Sequence, residues 1–560
     1  MPFNQPAPGL GNQFHDDRVL RSFLKRVLPA HVLADIAPEL AELGALAGGE
    51  LYAQQLADRL NEPVHTPWDA WGNRIDQIEV SPLWRRAELL AARFGLVAAG
   101  YETRFGRHAR LHQFSLVHLF TPATDLYSCP LAMTDGAGRA LMAANNAALI
   151  SRALPHLTSR EQNLFWTSGQ WMTESTGGSD VGTSETVARQ DASGQWRLYG
   201  RKWFTSAATS QMALTLARPE RNPAGGKGLA LFYLETRDDQ GRLRNMQVHR
   251  LKDKLGTRKV PTAELTLDGT PAEPIAGLGD GVKNIAPMLN VTRTWNSVSA
   301  VAYMRRGLAL ARDFARLRVA FGAPLSEKPL HLDTLAGVQA EYEAGFHLAF
   351  LLVEWLGRHE TAEMPPRQRD FLRFLTPVVK LVTGRQAVAG LSEIIESFGG
   401  AGYVEDTGIP VLLRDAQVFS IWEGTTNVLA LDALRALHTG AALDQLGIEV
   451  ESALSAVRQV SLHDAGNRAR VALNRAMEWL KQASGANLEA GARRFAMTVG
   501  RSLALIALCR HAQWSLDHEQ DGRPAAAARR FLRNGIDLLG HEDLAESQVL
   551  AMDDGPWVLT

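Results

Sequence analysis

Cysteine is nearly absent: Cys129 and Cys509 are the only two in 560 residues. That excludes a disulfide framework and a thiolate metal site, and leaves two buried apolar thiols in a reducing compartment as the expectation. A surplus of charge is missing too. Lys and Arg number 59 against 60 Asp and Glu, a formal charge of -1, which favours neither wrapping nucleic acid nor adhering to an anionic bilayer. No uncharged apolar run reaches the roughly 18 residues of a spanning helix. The first twenty residues carry Asn4, Gln5, His15, Asp16 and Asp17, without the basic-then-apolar order of a signal peptide. A cytoplasmic protein without a membrane span is expected. No Gly-x-Gly-x-x-Gly follows a strand, so any dinucleotide is held by something other than the usual crossover motif.

What the chain does contain is ordinary for a globular protein: 46% hydrophobic and 21% charged residues, at a length that suits three or four structural units. Residues 1 to about 165 read as mostly helical after a start rich in Pro2, Pro6, Pro8, Gly9 and Gly11, with Leu89, Leu90, Phe94 and Leu96 at helical spacing. The stretch from Cys129 to Thr134 is expected to interrupt that pattern before a helix over 138–154. From about 167 to 275 short runs take over, at 196–200, 212–217, 229–235 and 262–267. Turn signals such as Asn222-Pro223 and Asp268-Gly269 divide them, at the spacing of an antiparallel barrel or sandwich. The helical period returns near 284, with Val301, Met304, Leu308, Ala311 and Ala315 on one face. Helices over 367–397 and 426–438 complete an antiparallel bundle. Gly440 to Ala442 marks a boundary, and helical runs follow over 468–483, 488–516 and 523–539.

Three segments carry chemistry. The first is Met172-Thr173-Glu174-Ser175-Thr176-Gly177-Gly178-Ser179-Asp180, the second Arg318-Val319-Ala320-Phe321-Gly322, the third Ile421-Trp422-Glu423-Gly424-Thr425-Thr426-Asn427. In the third, one acid lies between an aromatic and a glycine. That suits a carboxylate at a tight turn, where a flat cofactor or a thioester approaches the main chain. Together with Gly200 to Ser206, Phe398 to Tyr403 and Leu413 to Ala416, the ordered set resembles the acyl-CoA dehydrogenase flavoprotein family over roughly residues 60 to 440. Within that family the chain most resembles the AidB alkylation-response branch. The features are the Phe3-Asn4-Gln5-Pro6 start, Trp203-Phe204, Leu251 to Gly256, Trp422 and the helical extension.

The resemblance implies an α+β fold of four parts: an N-terminal helical domain over 1–165, a middle antiparallel β-barrel over 166–280, a four-helix bundle over 281–440 and an extra helical domain over 441–560. It implies a homotetramer with FAD, an acyl-CoA or related acyl substrate, and an electron acceptor such as electron-transfer flavoprotein. In that chemistry a base removes the α-proton while hydride leaves the β-carbon for flavin N5. Glu423 matches the base, and the family polarises the thioester carbonyl with the backbone N–H of that residue and a flavin hydroxyl. Gly424 would let the chain bend for this contact.

By the same resemblance, Met172, Thr173 and Ser179 border the isoalloxazine, and Phe204, Thr205 and Ser206 cover another part of it. Arg318, with Phe321, reaches the pyrophosphate. Gly399, Gly400 and Gly402 admit a neighbouring subunit's backbone to the adenosine half, and Trp422, Thr425 and Asn427 complete the cofactor set. Arg293 is either substrate-proximal or a structural salt bridge. Thr134 either lines the acyl pocket or caps a helix, and Glu423 itself has a helix-capping reading. Arg414-Asp415 reads as a buried ion pair. Ser175-Thr176 replaces the family's Pro-Gly, Phe204 an aliphatic residue and Pro329 a glutamine; these changes weigh against efficient CoA-ester turnover more than against flavin binding. Two other functions therefore stand beside the enzyme: a DNA-protective flavoprotein in the AidB manner and an acyl-CoA sensor. From residue 441 onward there are 13 Lys and Arg against 15 Asp and Glu, a balance that does not favour DNA.

Overall fold

The computed structural model describes residues 5–362, 364–437, 440–540 and 543–553. Phe3 and Asn4 of the expected branch signature, and residue 438 at the end of the expected 426–438 helix, lie outside them. The N-terminal domain holds α1 (Arg18–Val27), α2 (Ala30–Gly48), α3 (Glu50–Ala57), α4 (Pro82–Arg93), α5 (Ala109–Phe120), α6 (Ser128–Ala144) and α7 (Ala147–Leu157). Against expectation, α6 runs unbroken through Cys129 and Thr134. Pro130 falls in its first turn, where the N–H has no helical partner anyway. The break comes later, at Asn145 with φ 53, before Asn146 caps α7. A second departure is a hairpin of β1 (Val64–Trp68) and β2 (Arg74–Glu79) inside this otherwise helical region. Asp69 closes its turn by accepting from the Trp71 and Asn73 N–H groups. Arg74 and Asp76 then bond the backbone of Val248 in the middle domain.

That domain comprises β3 (Ser168–Trp171), β4 (Val187–Gln190), β5 (Trp196–Thr205), β6 (Met212–Pro219), β7 (Ala230–Glu235), β8 (Met246–Leu251) and β9 (Ala263–Pro274). Strands β6, β4, β5, β9 and β7 form a ring closed by β6–β7 pairing, with β3 added to β6 and β8 to β9. The pairings are antiparallel except β3–β6 and β4–β6, which run parallel. Ala213, Ala217, Phe232, Leu234, Leu265 and Leu267 fill the interior, as closure of so small a barrel requires.

The bundle follows: α8 (Gly281–Asn284), α9 (Ala286–Leu317), α10 (Pro329–Thr361), α11 (Pro366–Ser397), α12 (Pro410–Ala416) and α13 (Thr426–Arg435). Pro329, Pro366 and Pro410 each open a helix, where the ring's fixed φ is already helical. Between α9 and α10 a short hairpin turns on Phe321 (φ 49) and Gly322 (φ 80). The extension holds α14 (Ala441–Leu454), α15 (Val460–Gln482), α16 (Gly485–His518), α17 (Arg523–Arg533) and α18 (Leu544–Met552). It has no core of its own. Val499, Leu503 and Phe531 share one apolar cluster with Leu348, Val378, Val382 and Leu429 of the bundle. Two ion pairs add to this join, Arg501 with Glu341 at 2.8 Å and Arg530 with Asp333 at 2.7 Å. Bundle and N-terminal domain meet over Arg110, buried between Asp135 at 2.7 Å and Glu360 at 2.5 Å, with Trp295 Nε1 also donating to Asp135. A buried charge is tolerable there because its partners are close and hydrogen-bonded.

Candidate active site

Glu423 lies in the turn that leads into α13. Its φ of 58 is left-handed, and Gly424 follows at φ 105. For a non-glycine residue that conformation costs about 1–3 kcal/mol and persists only where the surroundings enforce it. Two buried cations do so. Arg293 of α9 donates Nε to the Glu423 carbonyl at 3.2 Å, and Lys380 of α11 donates Nζ to the Gly424 carbonyl at 2.7 Å. Arg293 is anchored in turn by Asp432 of α13 at 2.8 Å, which also pairs with Arg373. The salt-bridge reading of Arg293 is the one seen, and the same guanidinium also bonds the acid-bearing turn. Thr425, rather than Glu423, caps α13, accepting from the Val428 N–H.

One carboxylate oxygen of Glu423, Oε2, is buried and has no hydrogen-bond partner. Buried polar atoms are almost always paired, so this one is set up for something the folded chain does not itself supply. Cys129 of α6 marks where the domains meet around it. Its thiol lies against the Ser206 hydroxyl, just past the end of β5, within the field of both Glu423 and Lys254. Burial above all, with the Glu423 charge added against the pull of Lys254, pushes the thiol up to about 12. Met172 and Trp422 pack on the edge of the same core. Burial also draws Lys254 down to about 8; its ammonium donates to Thr257 O, Val260 O and Thr262 Oγ1 at 2.6, 2.7 and 3.0 Å. Nothing in the local sequence singled out Lys380, a lone lysine in an apolar run, and Lys254 stood out only as part of the Leu251 to Gly256 run.

The Met172–Asp180 loop is held from within. Glu174 receives Lys202 Nζ at 2.7 Å, the Thr186 hydroxyl at 2.6 Å and the Glu185 N–H at 2.6 Å. Thr173 O accepts the Trp203 N–H at 3.0 Å. Around this anchor Met172 and Thr173 are half-buried, Ser179 exposed and Phe204 50% exposed, with Lys252 Nζ 4.6 Å from the Phe204 ring. Thr205 is buried and donates to Ala263 O at 2.6 Å. Thr134 is fully buried. Its hydroxyl donates to Pro130 O at 2.7 Å and accepts the Ser168 N–H at 2.9 Å, tying α6 to β3. Thr134→Val should therefore cost about 1–2 kcal/mol in urea denaturation, the penalty of stranding a buried N–H. Weakened acyl-CoA binding at unchanged stability would instead place this residue in the acyl pocket.

Other expected residues lie apart from the acid within one chain. Phe321 is fully exposed at its hairpin tip. Gly399 and Gly400 follow α11 on open surface, where an added Cβ would meet nothing. Asn427 lines a cavity of 1120 Å³ between bundle and extension, and Glu423 is not among its walls. Beside the paired Arg501–Glu341 and Arg530–Asp333, Arg385, Arg493 and Arg494 face it against Glu393 and Glu489, a slight excess of positive charge. The expected Arg414–Asp415 ion pair is not formed. Arg414 turns outward to Glu405, while Asp415 accepts from the Thr257 N–H at 2.6 Å and Tyr303 at 3.2 Å. Adjacent residues on a helix diverge by about 100°, and burial, reinforced by Asp125, pushes the Asp415 carboxyl up to about 7.

A helical domain, a small closed barrel and a helical bundle that meet around one acid constitute the acyl-CoA dehydrogenase fold. Residues 279–438 match the acyl-CoA dehydrogenase C-terminal domain, 169–270 its middle domain, and 4–163 the N-terminal domain of the adaptive response protein AidB. Acyl-CoA dehydrogenase family member 11 of Caenorhabditis elegans is 44% identical over 77% of this chain and 72% of its own length. AidB of Escherichia coli (strain K12) is 31% identical over 79% and 81%. The structure of Caenorhabditis elegans ACDH-11 in complex with C11-CoA superposes with a TM-score of 0.93 at 37% identity, covering 99% of this chain and 97% of that one. The chain belongs to the acyl-CoA dehydrogenase family.

Proposed function

We propose that the protein is a flavin-dependent dehydrogenase of acyl thioesters in which Glu423 takes the α-proton. The observation that carries this reading is the buried, unpartnered Glu423 Oε2 on a strained turn held by Arg293 and Lys380. A buried carboxylate oxygen with no donor of its own is poised to accept a proton from a bound substrate. FAD fits the residues present: Met172, Thr173, Ser179, Phe204, Thr205 and Ser206 would hold its ring from the barrel side, and Trp422 and Thr425 from the bundle side, while Asn427 faces the separate cavity shared with the extension. Once bound, a flavin supplies the two-electron acceptor for the hydride leaving the β-carbon. Phe321, Gly399 and Gly400 lie on the surface and Arg318 is half-buried at the end of α9, where they can serve the cofactor of a neighbouring copy. That supports a homo-oligomer, which the resemblance makes a tetramer.

Within the family, the match of residues 4–163 and the Escherichia coli relative support an AidB-like branch. A DNA-binding role gains little from the extension, because Arg501 and Arg530 are engaged by Glu341 and Asp333. The C11-CoA bound to the ACDH-11 relative makes fatty acyl-CoA the first substrate class to test. Anaerobic addition of acyl-CoAs of graded length to the flavin-loaded protein should bleach its visible band with at least one chain length. A shifted but unbleached spectrum across the panel would favour a sensor, and no response at all would reject both.

A further inference from the structure

We infer that Lys380 is a positioning residue for Glu423. Together with Arg293 it clamps the Glu423–Gly424 backbone and so fixes where the carboxylate stands. The inference rests on the reading of Glu423 as the base. Lys380 is completely buried in a stretch of α11 that otherwise reads Val378, Val379, Leu381 and Val382. A lone ammonium in such surroundings is costly, and among the described residues no carboxylate lies within ion-pair distance of it. Its one hydrogen bond goes to the Gly424 carbonyl, at 2.7 Å.

Charged groups reach Lys380 from two sides, Glu423 from the turn and Arg293 from α9. Asp432 of α13 is occupied by Arg293 and Arg373. The helices α10, α14 and α16, packed on α11, contribute Ala344, Leu348, Leu446, Val450 and Val499 to the surrounding core. Burial foremost, and then Arg293, outweigh the attraction of Glu423 and bring Lys380 down to about 7. Its charge therefore changes near neutral pH. Below that value the ammonium holds the Gly424 carbonyl by a charge-assisted hydrogen bond; above it the neutral amine holds the turn more weakly.

The test is rapid-reaction flavin reduction by an acyl-CoA that bleaches the flavin-loaded protein, between roughly pH 6 and 8.5. The unaltered protein should slow with rising pH through a midpoint near 7, as the clamp loses its charge. Lys380→Met should lose that step and slow the limiting rate by roughly a hundredfold, the effect of a loosened base, with flavin content and KM retained. Lys380→Arg, charged throughout, should give a flat profile near the low-pH rate of the parent. The inference is overturned if the midpoint survives in either variant, or if Lys380→Met matches the parent. Should Lys380→Met fail to fold, the parent profile and Lys380→Arg decide. If Glu423→Gln keeps reducing, the base assignment itself has failed. If Glu423→Gln is dead while the Lys380 variants behave as the parent, only the role of Lys380 falls.

Discussion

Glu423→Gln protein should purify yellow, with its flavin in place, and reduce it with acyl-CoA about a thousandfold more slowly than the parent, within the range for loss of a general base. The substitution is nearly isosteric. It leaves the backbone as it is, so the strained turn, the Arg293 and Lys380 contacts and the cap on α13 all survive. What changes is the capacity of one buried oxygen to bind a proton. An amide in the same place has no such capacity at any pH near neutrality. Binding should persist, seen as a spectral shift without bleaching. Reduction at the parental rate would remove Glu423 from the chemistry, whatever the structure says of its surroundings.

Lys202→Met should lower stability to urea by about 3–5 kcal/mol, the cost of leaving one member of a buried ion pair behind. Lys202 and Glu174 lie 2.7 Å apart with side chains 0% and 2% exposed, and Lys202 also satisfies Leu216 O at 2.9 Å. Burial would raise the Glu174 carboxyl, but the Lys202 charge and the bonds from Lys202, Thr186 and Glu185 together hold it below the usual range. A depressed carboxyl contributes stability that is fully present above its unfolded pKa of about 4.3 and lost as pH falls through the folded value. The parent should therefore weaken below about pH 4. The variant should lack that acid-sensitive share. Because Glu174 is the anchor of the Met172–Asp180 loop, flavin should be lost along with stability. A change under 1 kcal/mol would mean that the loop is held by its backbone alone.

The architecture was legible wherever one residue type has one job. Asn222-Pro223 announced the reversal between β6 and β7, and the 3.6-residue period the long helices. Asp268-Gly269, expected to divide two runs, instead lies inside β9 as a bulge against β5, with Gly269 at φ 82. The β1–β2 hairpin was not legible, because its strands alternate half-exposed polar residues around Asp69 and never accumulate a β-rich run. The turn at Glu423 could be read from its glycine and its acid. The side chains that enforce it could not. Arg293, Lys380 and Asp432 come from three helices, and nothing in a local window says that a lysine between valines will reach a carbonyl 44 positions further on. Arg414 and Asp415 show the converse error, in which adjacency in the chain was taken for adjacency in space.

Helix α11 turns Lys380 toward the acid-bearing turn, while Val378 and Val382, on the same few turns, touch the point on α16 where Gly500 lets the helices close. Helices α14 to α17 of the extension thus brace the far side of the helix that carries Lys380 rather than standing off as an appendage. Cutting the chain after Gly440 would bare the greasy back of that helix to water, and so disturb the one rod whose lysine bonds the Gly424 carbonyl.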